Sequence, residues 1–232
     1  MSSVAVNSWL ARIRETKTQH GNWAAWQLVL DRVGRKLLNA SVTNVVLLDV
    51  ASVNNKIQTP PGFEFRFLTP DEVCKFAADP GNELEGAFVE RVAAGRDLCF
   101  AVLAGERLAN YGWYALGSIE AEHCGGLAMS FPPTMSYMYK GFTHADFRGQ
   151  RLHGLAMGLA LQELGQRGVD QLISTVDWTN WASLKSCYRL GYTDLGRIVS
   201  LGPTCCQFTL ACRAAGKLGV HFGRNADLSD RE

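Results

Sequence analysis

Apolar residues recur at helical spacing through the first forty positions. Trp9, Leu10 and Ile13 begin one stripe, and Trp23, Trp26, Leu30, Val33 and Leu37 form a second, with His20-Gly21-Asn22 between them. The pattern predicts two helices. The second ends in Arg32, Arg35 and Lys36, where cations complement the helix dipole. A β-branched run over 44–50 predicts a short strand. The turn-forming stretch 54–62, with Pro60-Pro61-Gly62, marks the best domain boundary.

Beyond it the period changes. Residues 63–67 alternate Phe, Glu, Phe, Arg, Phe, as a half-buried strand does. Thr69-Pro70-Asp71-Glu72 supplies an N-cap, a proline at the first helical position and acids in the first turn, so a helix to residue 78 is predicted. A second helix is predicted over 83–94, ended by Gly95. Runs at 98–104 and 108–114 flank Gly105-Glu106-Arg107 as a hairpin. Residues 135–143 read as a strand. Residues 154–167 read as the strongest helix, with Leu155, Leu159, Leu161 and Leu164 on its apolar face and Gly168 at its end. A strand at 169–177, a short helix at 182–190 closed by Gly191, and strands at 198–201 and 206–212 complete the order.

This order predicts an α/β (α+β) chain: a mixed, mostly antiparallel twisted sheet flanked by helices, with a helical crossover between neighbouring strands. Residues 1–53 read as an N-terminal helical extension with a short strand, 63–212 as one domain, and 213–232 as a polar, poorly ordered tail.

Composition narrows the function classes. The 232 residues are 47% hydrophobic and 19% charged with a formal charge of +1, enough for one sizeable core and without the electrostatic footprint of a duplex nucleic-acid binder. No window is long and apolar enough to span a membrane. The first apolar residues precede Arg12, Arg14 and Lys17, the reverse of a secretory signal, so a cytoplasmic location is expected. Cys74, Cys99, Cys124, Cys187, Cys205, Cys206 and Cys212 show no C-x-x-C and no metal-ligand spacing. Reduced, mostly core-packing thiols are expected, and no metal is assigned.

Candidate chemistry concentrates where strand 135–143 passes into the strong helix. Phe142 and Thr143 end the strand, and Arg148, Gly149, Gln150, Arg151, Leu152, His153 and Gly154 carry the chain into the helix. The first N–H groups of a helix lack intrahelical partners, and its dipole favours an anion there by about 0.3–1 kcal/mol. Arg148 and Arg151 add full charges, while Gly149 and Gly154 allow close backbone approach. This is a phosphate cradle without a Walker lysine or a Rossmann triple glycine. Alone it specifies an anion at a helix start.

Downstream lie Asn180, Ser183, Tyr188 and Leu190-Gly191-Tyr192. Together the two stretches resemble the signatures of the GCN5-related N-acetyltransferase (GNAT) superfamily. These are R/Q-x-x-G-x-G/A after a strand, then an Asn, a Tyr on a short helix and Gly plus an aromatic. The resemblance covers roughly residues 63–212. Starting the first signature at Arg148 puts Arg151 and His153 where the family usually has glycine; starting at Arg151 satisfies the written pattern. The Arg148 register is favoured because it sets Arg-Gly directly after the strand.

The resemblance implies a GNAT-like fold and acetyl-CoA, or another acyl-CoA, as co-substrate. It places the cofactor against residues 148–154 with Asn180 and Ser183, and its pantetheine arm between strands 135–143 and 169–177. Backbone N–H groups near Phe142 and Thr143 would hold the acyl oxygen, and Tyr188 would protonate the departing thiolate. The implied reaction is direct transfer to an amine of a small molecule or amino sugar in a ternary complex. The alternative is a catalytically divergent acyl-CoA-binding module acting through a partner.

Other assignments stay open. An amine of pKa about 10.4 costs roughly 4–5 kcal/mol to deprotonate at pH 7, so a base or water relay is expected. His144, Asp146, Glu120, Glu122 and His123 are the candidates, and none is singled out. Asp177 and Asn180 would orient backbone or water, and His153 would touch phosphate. Loop 117–133 is expected to select the acceptor, and Trp178 and Trp181 to wall its cleft. Trp113 is expected in the core, and Trp9, Trp23 and Trp26 in a packed apolar seam; the Trp23–Leu37 face is expected to cover the domain's own sheet, with a membrane-surface or partner-binding helix as the alternative. Neither nucleic acid nor a membrane span is expected, and a homodimer is left open.

Overall fold

The computed structural model describes residues 3–53, 58–84, 86–120, 128–202 and 208–223. The chain opens with helix α1 (Ser3–Leu38), kinked where Gly21 takes φ 88 and ψ 176, at the interruption seen in the sequence. Strand β1 (Ser41–Asp49), β2 (Glu64–Phe67), α2 (Pro70–Ala77) and α3 (Gly86–Ala93) follow. Next come β3 (Asp97–Ala104), β4 (Arg107–Leu116), β5 (Ser118–Ile119), β6 (Ala128–Ser130) and β7 (Met135–Thr143). Then α4 (Leu152–Gly165), β8 (Gln171–Asp177), α5 (Trp181–Arg189), β9 (Thr193–Leu201), β10 (Phe208–Leu210), α6 (Arg213–Lys217) and β11 (His221–Gly223) complete the chain.

Among the described residues, eight strands form one sheet in the order β10-β9-β1-β8-β7-β4-β3-β2. Every pairing in it is antiparallel except β7 with β8, which the crossover helix α4 joins in parallel. The mixed, mostly antiparallel sheet flanked by helices is the architecture expected from the sequence. Three short strands, β11-β6-β5, form a second sheet.

Two boundaries are corrected. The strand assigned to the N-terminal extension is a central strand of the main sheet, β1, hydrogen-bonded to β8 and β9. Its continuous run Val45-Val46-Leu47-Leu48 is buried on both faces, as expected of an interior strand. Only α1 lies outside the sheet. The described part of the tail, 213–223, contains α6 and the strand β11 paired to β6.

The core lies on both faces of the sheet. On one, Leu161 and Leu164 of α4 pack against Val46, Phe100, Val102 and Leu172. On the other, α2 and α3 cover one end through Val73, Phe88 and Val92, with Trp113 fully buried there as expected. The second sheet and α6 cover the remainder, around Leu47, Ile173 and Ile198. The capping box Thr69/Glu72 fixes the start of α2. Among the described residues no helix is long and apolar enough to cross a membrane.

Candidate active site

The site begins at a break in strand pairing. β7 and β8 pair from Met135↔Gln171 to Met138↔Ser174 and no further. Beyond that point β7 continues to Thr143 against β4, and β8 continues to Asp177 against β1, so the two strands part. A bulge coincides with the parting: Trp113 of β4 faces Lys140 and Tyr114 faces Met138, leaving Tyr139 without a register partner. A bulge bends its strand and raises the local twist, which turns β7 away from β8. The facing backbone edges of the splayed segments are left open to a ligand that runs between them.

Tyr139 is held by a buried network. Its phenol donates to Asp97, whose carboxylate takes both the Nε and an η nitrogen of Arg91 at 2.8 Å. The Arg91 and Asp97 side chains are 2% and 0% exposed, and Arg91 also pairs with Glu120. Burial, with the Asp97 charge beside it, pushes the Tyr139 phenol well above its ordinary range, so it stays protonated and donating.

The gap encloses a slot of about 250 Å³, lined among others by Gly141, His153, Ser174, Asp177, Asn180 and Cys187. Ser174, which is buried, is among the lining residues. Outside it, a cavity of about 580 Å³ is lined by Arg151, His153, Gly154, Ser186 and Arg189. His153 borders both. Its ring lies against Gly141, where an added Cβ would sit 2.4 Å from Cε1. Burial lowers the imidazole's pKa below 6.5 and keeps it neutral at neutral pH.

The turn entering α4 explains the basic wall. Arg151 is the N-cap of α4 in a left-handed conformation, φ 60 and ψ 16, and no side chain caps the helix. Its first-turn N–H groups therefore face the cavity with arginine charge beside them. The left-handed backbone at Arg151 is the conformation glycine favours, and this agrees with the Arg148 register.

The residues singled out from the sequence divide. Arg151, His153 and Gly154 line the outer cavity, while Asn180 and Ser183 line the slot. Asn180 also caps α5, accepting from the Ser183 N–H at 3.2 Å. Gly154 admits the Leu190 side chain, which an added Cβ would meet at 3.2 Å. Arg148, Gly149 and Gln150 are exposed and line neither cavity, and Arg148 turns back to donate to the Thr143 carbonyl at 3.2 Å. The Leu152 side chain is core, which leaves only its backbone for a ligand. Phe142 stacks on Tyr111, and its carbonyl and the Thr143 hydroxyl accept from Asn110.

Tyr188 is not among the residues lining the slot. It is 45% exposed, and its phenol donates to Asp194 at 3.1 Å, away from the slot. One residue earlier, Cys187 is buried and lines the slot. On a helix, positions 180, 183 and 187 share a face, and 188 lies about 100° round from 187. That spacing was the available signal for Cys187. Arg189, also missed, reaches the outer cavity from the last turn of α5.

The described base candidates do not line the slot. His144 bonds Asn82 at 2.9 Å, Asp146 pairs with Arg107 and Glu120 with Arg91 and Arg96. Glu122 and His123 lie outside the described residues. The carboxylate bordering the slot is Asp177, which takes the Thr179 N–H at 2.8 Å and pairs with Arg35 of α1. Asp177 and Asn180 also border an open cleft of about 850 Å³ beneath α1, with Trp9, Arg12, Asp31 and Arg32. Trp178 and Trp181 fasten α1 rather than wall this cleft: Trp178 donates to Asp31 at 2.9 Å, and Trp181 stacks on His20. The described part of loop 117–133 supplies β5 and β6 of the second sheet, and none of it lines the slot.

No family model and no curated protein matches the chain in sequence. Solved structures do. A GCN5-related N-acetyltransferase-like protein from Streptococcus suis superposes with a TM-score of 0.50 at 15% identity, over 77% of this chain and 67% of that one. A protein of the GNAT family from Novosphingobium aromaticivorans gives 0.48 at 12%, over 70% and 63%. A GCN5-related N-acetyltransferase from Kribbella flavida gives 0.49 at 14%, over 70% and 58%. This chain thus spans less than two thirds of the length of the last two. The fold is that of the GCN5-related N-acetyltransferases.

Proposed function

We propose that the protein transfers an acyl group, acetyl in the first instance, from acyl-CoA to the amine of a small molecule. The observation that carries this reading is the parting of β7 and β8 at Met138 and Ser174, with His153 and Ser186 lining both the slot and the Arg151–Arg189 cavity. The donor set suits the cofactor. An uncapped helix start with two arginines matches a pyrophosphate, and a narrow gap with open strand edges matches an amide-bearing arm.

The proposed chemistry is direct attack. The amine nitrogen adds to the thioester carbonyl, the C–S bond breaks, and the thiolate takes a proton. Open N–H groups on the splayed part of β7 stabilise the developing oxyanion. Cys187 is the proton donor we assign. Burial raises its pKa, so it remains a thiol at neutral pH and is well matched to a thiolate leaving group. Asp177 draws the ammonium form of the acceptor to the slot from the cleft beneath α1, and water carries its proton away.

The test follows free thiol release from acetyl-CoA across a panel of amines, amino sugars included. Turnover with any member supports the reading. Tight acetyl-CoA binding without turnover on any amine favours a binding module acting through a partner instead.

A further inference from the structure

The second half of α1 is apolar on two opposite faces. One face, Ala24, Ala25 and Leu28, is buried against the domain. The other carries Trp23, Trp26, Leu30, Val33 and Leu37, which are 69%, 62%, 51%, 48% and 72% exposed. The packed seam expected of these tryptophans is therefore not filled by the described part of the chain. At about 100° per residue the five fall within an arc of about 80°, opposite the buried face. Their spacing of three, four, three and four residues is the heptad seam of a helix that packs on another helix.

Two further observations specify the cover. From their exposure, the five side chains present roughly 600 Å² of apolar surface, at the top of the range for a monomer's largest patch and near the ~800 Å² per partner of a standard interface. Their sizes are graded along the helix, with two indoles at one end and Val33 and Leu37 at the other. About a two-fold axis at Leu30, antiparallel pairing sets Trp23 against Leu37 of a second copy and Trp26 opposite Gly34, beside Val33. Large then meets small along the seam, and the helix dipoles oppose. A parallel pair would set indole on indole.

Further exposed apolar residues lie near the helix end. The Gly202 N–H donates to the Leu38 carbonyl at 3.0 Å, which brings up the end of β9 with exposed Leu201 and, on edge strand β10, its partner Phe208. We propose that the protein is a two-fold homodimer in which α1 pairs antiparallel with α1 of the second copy across this seam.

Light scattering with size-exclusion chromatography of the full chain, over a concentration series, tests it. The expected mass is twice the 25.5 kDa of one chain. Trp26→Glu and Leu30→Glu should each yield the monomer with unchanged circular dichroism. Should these variants not fold, Leu30→Cys supplies the second reading. On the two-fold axis it should form an oxidant-induced crosslinked dimer beyond the parent's background, and Trp23→Cys alone should not. A monomer at every concentration overturns the proposal, as does a dimer that survives both glutamate variants. A monomer that co-sediments with phosphatidylcholine–phosphatidylserine vesicles, and loses this in Trp26→Glu, also overturns it and assigns the seam to a membrane surface.

Discussion

At the residue scale, two neighbours on α5 carry opposite expectations. Tyr188 makes one exposed hydrogen bond to Asp194, and Cys187 faces the slot. Tyr188→Phe should change turnover less than about twofold. Cys187→Ala should lower it on the order of 10²-fold, the low end for loss of a general acid, with coenzyme A affinity nearly unchanged. Steady-state rates with a saturating amine separate the two, and the reverse ranking returns the acid role to the tyrosine. Asn180, Ser183 and Cys187 share a helical face that can be counted from sequence alone and line the slot, whereas the resemblance to a tyrosine-bearing signature singles out Tyr188, one residue further on.

His153 and Gly141 form a second residue-scale pair. A methyl at 141 would overlap the imidazole, so Gly141→Ala should cost about 1–3 kcal/mol, the usual cost of overpacking. Most of that should return in the His153→Ala background; additive denaturant midpoints would contradict the contact. The same histidine gives a pH signature. Its folded pKa lies below the unfolded value of about 6.5, so between the two values the unfolded chain binds more protons. Its contribution to stability is complete above about pH 6.5 and is lost as pH falls through the folded value. The melting temperature of the parent should fall more steeply below pH 6.5 than that of His153→Ala, and parallel curves would refute the assignment.

At the element scale, the bulge at Tyr139 is what opens the sheet, and the Arg91–Asp97 pair anchors it from α3 and β3. Arg91→Ala leaves a buried carboxylate unpaired and should destabilise the fold by about 3–5 kcal/mol. Tyr139→Phe should keep the fold, since Asp97 retains both Arg91 bonds, and should weaken acyl-CoA binding as the bulge loses its tether. Denaturant midpoints and calorimetry read the two effects separately. These features show how far sequence reaches. The hairpin β3–β4, strand β7 and helix α4 were legible because their signals are local: a turn, an alternation and a 3.6-residue period. The place of β1 was not, because its partners lie more than a hundred residues downstream and a buried run names no neighbour. The parting of β7 from β8 depends on a register shift against β4, which no local pattern encodes.

At the scale of the whole molecule, the sheet presents its opened strands between the arginines of α4 and α5 on one side and the cleft beneath α1 on the other. The N-terminal part is thus integral to the site, through β1 in the sheet and Arg35 on Asp177. The basic wall of the outer cavity was legible in part from Arg151 and the helix start. Arg189 and the slot appear only once α5 is folded against α4. Calorimetric titration of the full chain with acetyl-CoA tests the central claim most directly. Saturable one-to-one binding that falls at least tenfold in the Arg151→Ala/Arg189→Ala variant is the predicted result, and no binding of acetyl-CoA or longer acyl-CoA by the folded parent would contradict it.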